Sequence, residues 1–308
     1  MDTLASLLDG PRARGAFLLR SILTPPWSLR IKDRAPLTVV AMVRGQAWVV
    51  PDAGEKVLLR PGDVAIVRGP DEYTVADDPA TPPQIHIHPG QHCTTPEGES
   101  LTQAMDLGVR TWGDSLDGPT MMLTGTYQMR GEVNGRLLAA LPPLLALRAD
   151  AWRCPFVPLL GDEIVKDEPG QEAVLDRLLD LLLIAALRAW FSRPEARAPA
   201  WYRAHGDPVV GKALRVLHNH PDRPWTVASL AAETGVSRAA LARRFAERVG
   251  EPPMAYLTGW RLALAADLLR ETDVTVGAVA RRVGYGSSFA LSTAFKRVHG
   301  LSPQEYRR

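Results

Sequence analysis

The sequence predicts an α+β chain of several domains: a small N-terminal β-barrel with helices at its C-terminal end, then an all-α domain holding two helix-turn-helix units. Three observations carry this expectation. A short pattern recurs 49 residues apart near the C-terminus. One copy is Leu230-Ala231-Ala232-Glu233-Thr234-Gly235-Val236-Ser237, followed by Leu241 and Phe245; the other is Val279-Ala280-Arg281-Arg282-Val283-Gly284-Tyr285-Gly286-Ser287, followed by Leu291 and Phe295. Residues 17–90 hold short β-branched runs between Gly, Pro and Asp turns, the pattern of a small antiparallel barrel or sandwich. Between these regions lies Ser192-Arg193-Pro194-Glu195-Ala196-Arg197-Ala198-Pro199-Ala200, whose Pro and Ala content suits a boundary near residues 192–207.

In the N-terminal part, Val39 to Val43 runs through Arg44-Gly45-Gln46 into Ala47 to Val50, and Lys56 to Leu59 leads through Pro61-Gly62-Asp63 into Val64 to Val67. Gln84-Ile85-His86-Ile87-His88 alternates with period two, so both histidines belong on one face. A further pair of strands is expected within Thr120 to Tyr127. Helices are expected at Gly135 to Leu147 and Glu172 to Phe191, where apolar residues recur every three or four positions. Leu178, Leu179, Leu182, Leu183 and Ala186 form a broad stripe that suits either core packing or a dimer interface. The expected division is therefore a sensory barrel at 1–134, a helical packing or dimerisation segment at 135–191, a linker at 192–207 and a helical domain at 208–308.

A chain of 308 residues suits two domains, and 46% hydrophobic with 23% charged residues suits a globular protein. The net charge of +2 is unevenly spread. Residues 208–308 carry 15 Lys+Arg against 8 Asp+Glu, whereas residues 1–207 carry 21 against 26. A polyanion therefore suits the C-terminal part only. Met1 to Arg20 reads as no signal peptide, and Leu178 to Phe191 is too short and too interrupted to span a membrane. Two cysteines, Cys93 and Cys154, make no disulfide framework. The expectation is a cytoplasmic protein with reduced thiols.

In each copy of the repeat an apolar helix reaches Gly, turns, and restarts at Ser. Gly can end a helix with φ > 0 and Ser can cap the next, which is the grammar of a helix-turn-helix. The units are expected at 226–249 and 275–299. A joining helix, Ala255 to Leu269, carries Leu257, Trp260, Leu264 and Leu268 as a spine. Two units held in phase can enter successive major grooves of duplex DNA.

The closing stretch runs Val283-Gly284-Tyr285-Gly286-Ser287-Ser288-Phe289, Ala294-Phe295-Lys296-Arg297 and Gly300-Leu301-Ser302-Pro303-Gln304-Glu305-Tyr306-Arg307. It resembles the signature of AraC/XylS-type transcription regulators, with a slightly compressed spacing at Ser288 and Phe289. The resemblance covers residues 208–308. The remainder resembles the cupin-type domain attached to many such regulators, on the marks Arg44-Gly45 and Pro61-Gly62-Asp63. The resemblance implies a homodimeric regulator that binds double-stranded promoter DNA, meets RNA polymerase, and senses a small effector, a metal, or an oxidant or electrophile. It also implies a second unit that reads DNA more weakly than the first.

On the first recognition helix Leu241 and Phe245 form an inward pair, which leaves Ser237, Arg238, Ala239, Ala242 and Arg243 toward the groove. Arg238 and Arg243 are candidates for bidentate contacts to guanine, with phosphate contact the alternative. On the second, Leu291 and Phe295 point inward. Ser288, Ser292, Thr293, Lys296 and Arg297 are candidate contacts, the last two and chiefly Lys296 to phosphate. Phe289 is assigned to packing, with a thymine-methyl contact as the alternative.

His86, His88, His92 and Cys93 are the candidate sensing cluster. Imidazole and thiolate suit zinc or another divalent metal, and a neighbouring imidazolium could activate the thiol. Against a cupin metal centre, Leu37-Thr38-Val39-Val40-Ala41 stands where such cupins carry their first histidines. A barrel lumen holding an organic effector among Trp27, Trp48 and Tyr73 is the other option, and Cys154 is a candidate thiol partner. Competing functions are a cupin-type enzyme with an appended DNA-binding domain and an architectural DNA-binder without effector.

Overall fold

A computed structural model describes residues 17–128, 131–196 and 198–307. The expectation of no leader at Met1 to Arg20 thus falls, up to Ala16, outside the described residues. Residues 17–128 and 141–196 form one compact unit, and residues 131–140 and 198–307 form another.

The first unit is built on thirteen strands, numbered here as β1 Phe17–Leu23, β2 Ser28–Ile31, β3 Leu37–Arg44, β4 Ala47–Pro51, β5 Val57–Leu59, β6 Val64–Arg68, β7 Tyr73–Ala76, β8 Ile85–His88, β9 His92–Thr94, β10 Asp106–Gly108, β11 Thr111–Gly113, β12 Thr120–Tyr127 and β13 Leu144–Leu147. One sheet has the order β10-β11-β1-β12-β3-β6-β13 and the other β5-β4-β7-β2-β8-β9. A shared core of Leu23, Trp27, Leu29, Val40, Met42, Val49 and Val75 lies on their inner faces. Six consecutive residues of β3, from Leu37 to Met42, are buried on both faces. The strand does not alternate because helix α2, Phe156–Glu163, packs on it from outside. Helix α3, Gln171–Phe191, lies beside α2 and β13. At Gly125 of β12 a Cβ would fall 2.7 Å from Leu179 Cδ1, so glycine permits the close approach of α3. The buried Tyr127 hydroxyl donates to the Leu179 carbonyl at 2.8 Å.

Two expectations are corrected in this unit. Gly135 to Leu147 is not one helix: Pro142-Pro143 cannot continue it, and Leu144–Leu147 alternates and pairs antiparallel with β6. Thr120–Tyr127 is one eight-residue strand between β1 and β3, without an internal turn. Of the two readings open for the stripe, core packing holds for Leu179, Leu182, Leu183 and Ala186, which are buried within their own unit.

The second unit is helical, with α1 Glu132–Leu138, α4 Ala200–Ala204, α5 Val210–Asn219, α6 Val227–Thr234, α7 Arg238–Val249, α8 Pro253–Glu271, α9 Val276–Arg282, α10 Ser288–His299 and α11 Pro303–Arg307. The expected linker is not extended chain. It contains α4, whose Ala204 is buried against α5–α7 because Trp201 and Ala204 are apolar and find a core there. Helix α1 also belongs here. Asp267 of α8 accepts hydrogen bonds from the Glu132 and Val133 backbone N–H groups at 2.6 and 3.1 Å, capping α1, while Val133 packs on Trp260. Burial raises the Asp267 pKa, although those two bonds act in the opposite direction.

Helix α8 serves two cores. Tyr256 and Leu257 join Leu230, Leu241 and Phe245 in one cluster. Leu262, Ala266 and Leu269 join Val279, Leu291 and Phe295 in the other. Leu257 and Trp260 are spine residues as expected; Leu264 and Leu268 are only half-buried, and Leu262 and Leu269 take the inner positions.

Candidate nucleic-acid interface

The two turns are built alike. Thr226 caps α6 by accepting from Ser229 N, and Thr275 caps α9 by accepting from Ala278 N. Each helix then ends on a left-handed glycine, Gly235 at φ +74° and Gly284 at φ +83°. Gly235 N bonds to Ala232 O and Val236 N to Ala231 O; Gly284 N bonds to Arg281 O and Tyr285 N to Ala280 O. This paired closure satisfies the last carbonyls of both helices. Ser237 and Ser287 restart the chain, their Oγ atoms accepting from Ala240 N at 3.2 Å and Ala290 N at 3.1 Å. Gly286 is an extra residue in the second turn, so the repeat is 49 up to the glycines and 50 from the serine caps onward.

With that offset, Leu241 and Phe245 match Leu291 and Phe295, and all four are fully buried. Arg238, Ala239 and Arg243 match Ser288, Phe289 and Thr293, and all six are exposed. Ala242 matches Ser292, both half-buried. Lys296 and Arg297 are exposed at the far end of α10. The candidate residues of each unit therefore share one solvent-facing side, with Ser237 as its cap.

Neighbours modify the individual roles. Arg243 Nη1 lies 3.1 Å from Glu247 Oε1, an exposed pair worth little by itself. Arg244 and Arg248 approach the buried carboxylate of Asp207 at 2.8 and 3.6 Å, so these arginines brace the fold. Asp207 also accepts from Val209 N and Val210 N at the start of α5. Burial alone would raise its pKa; the backbone and Arg244 bonds outweigh it and hold the carboxyl below its ordinary value. The Thr293 hydroxyl donates to the Phe289 carbonyl at 3.0 Å, so its proton is spent within the helix.

Phe289 overturns the packing assignment, since it is 80% exposed. The signal was present in the repeat: fifty residues earlier the same position is Ala239, on the outer face.

The sensing cluster assembles only in part: the His88 ring lies 6.2 Å, centroid to centroid, from those of His86 and His92, while Cys93 is on the other side of the sheet. His86 and His88 do share a face of β8, but Ile85 and Ile87 are the buried pair and the histidines are only half-buried on the other side. Cys93 opposes Ile87 and His92 opposes His88, which puts the thiol inward and the three imidazoles outward. Period two fixes which residues share a face and leaves open which face meets the core. Among the described residues no three His, Cys, Asp or Glu side chains are grouped to hold a metal ion. Burial pushes the Cys93 thiol up to about 11, opposite to an activated thiolate, and raises the Cys154 thiol as well. Burial, then Lys32, lowers the His86 pKa. Trp27 and Tyr73 are buried, whereas Trp48 is half-buried with Lys56 Nζ 5.4 Å over its ring.

Among the described residues no helix is long and apolar enough to cross a membrane. Residues 2–192 match a family model described as Cupin, and residues 230–308 match one described as Helix-turn-helix domain. A putative AraC-like transcription regulator of Streptomyces lividans is 32% identical over 313 residues, spanning 100% of this chain and 98% of that protein. The RCS-specific HTH-type transcriptional activator RclR of Escherichia coli is 26% identical over 317 residues, spanning 100% of this chain and 97% of that protein. The solved C-terminal domain of AraT, a response regulator from Geobacillus stearothermophilus, is 35% identical, covers 33% of this chain and 85% of that one, and has a TM-score of 0.33.

Proposed function

The chain belongs to the AraC-like transcription regulators that carry a cupin N-terminal domain, and from that premise we propose that it binds promoter DNA through two recognition helices of unequal chemistry. The observation that supports this reading is the pair of equally capped turns presenting differently composed exposed faces. On α7, Arg238 and Arg243 read bases, since a guanidinium can bond guanine O6 and N7 together. Ala239 and Ala242 offer methyl contacts only. On α10, Ser288 and Phe289 face the groove, Thr293 offers its methyl group, and Lys296 and Arg297 hold phosphate, which sets orientation without reading sequence. RNA polymerase and a second copy of the chain complete the partners of a promoter-bound regulator.

The N-terminal unit is the signal-receiving part in this reading. A cupin-type enzyme finds no support in the barrel, because its histidines face outward from β8 and β9. Fragmented genomic DNA incubated with the full-length protein tests the proposal: recovered fragments should be enriched for segments upstream of coding regions. Recovery that tracks fragment length alone, with no enriched sequence, would contradict it.

A further inference from the structure

A cavity of about 250 Å³ lies between the two sheets of the N-terminal unit. Thr38, Thr124 and Thr126 line it from the seven-stranded sheet, while Leu29, Ile31 and Ile87 line it from the six-stranded sheet. Most of the hydroxyl groups are therefore on the first wall, while the second is mainly hydrocarbon, with the Tyr73 hydroxyl and the Cys93 thiol as its polar members. Trp112 of β11 also lines the space.

Two of these polar groups lack a partner among the described residues. Trp112 is 7% exposed and Thr126 is 2% exposed, and neither Trp112 Nε1 nor Thr126 Oγ1 has a hydrogen-bond partner. The neighbouring Thr38 differs, being hydrogen-bonded to the Tyr73 hydroxyl. Buried donors are normally satisfied, and an unmet one is costly, so a group that fills the cavity and supplies an acceptor gains twice. The indole N–H only donates, whereas the hydroxyl can donate or accept. The charge balance narrows the ligand further. Among the described residues no lysine, arginine or histidine lines the cavity, and Asp33 does. A carboxylate would lose its water against an apolar wall with no cation to replace it. For scale, a dry apolar cavity of roughly 150 Å³ accepts benzene.

We propose that this cavity binds an uncharged, mostly apolar small molecule bearing a hydrogen-bond acceptor such as a carbonyl, with Trp112 and Thr126 as its polar contacts. The inference rests on the N-terminal unit being the signal-receiving part of a DNA-binding regulator. Its size class is a substituted single ring or a medium-length aliphatic chain.

Fluorine NMR on the full-length protein tests this with three probes of similar size: 4-fluoroacetophenone, 4-fluorobenzoate and 1-ethyl-4-fluorobenzene. The ketone should bind at least tenfold more tightly than the benzoate at neutral pH. Trp112→Phe and Thr126→Val should each weaken the ketone severalfold while leaving the ethylbenzene unchanged. Duplex-DNA shifts by both variants check that they fold. Benzoate binding as tightly as the ketone would overturn the assignment. So would variants that leave the ratio of ketone to ethylbenzene unchanged, or failure of both neutral probes to bind at millimolar concentration by a protein that still shifts DNA. Failure of the parent protein to shift any DNA would instead count against the regulator reading itself.

Discussion

Between the first helix-turn-helix and the second, the buried residues are nearly repeated and the exposed ones are replaced. Leu241 and Phe245 return as Leu291 and Phe295. Arg238, Ala239 and Arg243 return as Ser288, Phe289 and Thr293. Glu247, which holds Arg243, returns as Arg297. Close packing restricts what may change inside a helix pair, while a solvent-facing position is limited only by what it must touch. At these matched positions the first unit presents two long cations and the second one aromatic ring among hydroxyls, with its own cations, Lys296 and Arg297, confined to the far end of α10. The two scaffolds are equivalent; the two reading surfaces are not.

The largest test addresses the equivalence. Phe245→Ala and Phe295→Ala should each destabilise the protein by roughly 3–5 kcal/mol, measured by urea unfolding of the helical domain. Similar losses support matched cores; a near-neutral result for one would break the comparison at its base.

Next comes the inequality. Arg243→Ala should cost about 1–3 kcal/mol of specific binding and relax base preference in one block of the site. Thr293→Ala, at the matching position, should cost far less, because its hydroxyl already serves the Phe289 carbonyl. Competition titrations on selected duplexes measure both. Equal effects at specific and random DNA would make Arg243 a phosphate contact.

Phe289→Ala should leave the melting temperature unchanged, since the ring is 80% exposed, while weakening DNA binding by about 1 kcal/mol if the ring covers a thymine methyl group. Replacing thymine by deoxyuridine at that base should produce the same loss in the parent and none in the variant. Additive losses would separate Phe289 from the methyl group.

The smallest expected effect concerns the brace under α7. Asp207 has a lowered pKa in the fold, so its stabilisation is complete above the unfolded value of about 3.9 and disappears as pH falls through the lower folded value. Asp207→Asn should lower the melting temperature at neutral pH, and its gap from the parent should close on acidification below about pH 4. A gap that persists at low pH would assign the loss to packing or to the backbone bonds.

The helix-turn-helix units were legible in the sequence because their determinants are local: Thr226, Ser237, Thr275 and Ser287 cap within three residues, and the glycines end helices where they stand. The extra Gly286 shows why aligning the two copies would also have placed Phe289 outside. What was not legible depends on distant partners. Leu144–Leu147 becomes a strand because β6 offers it an edge. Leu179 is core because Gly125 lets α3 approach β12. Helix α1 joins the C-terminal unit because Asp267, more than a hundred residues later, accepts its first N–H groups. The alternation of His86 and His88 was correctly placed on one face, but Ile85 and Ile87 won the inward side through burial.

The most direct test of two unequal readers on one scaffold is selection of binding duplexes from a random library by the full-length protein, followed by base-pair scanning of the winner. The predicted result is two blocks of sensitive positions about one helical turn, 10–10.5 base pairs, apart. Arg243→Ala should flatten the stronger, guanine-containing block, and Phe289→Ala should affect only the weaker one. A single sensitive block, or two blocks that respond alike to both substitutions, would contradict the account.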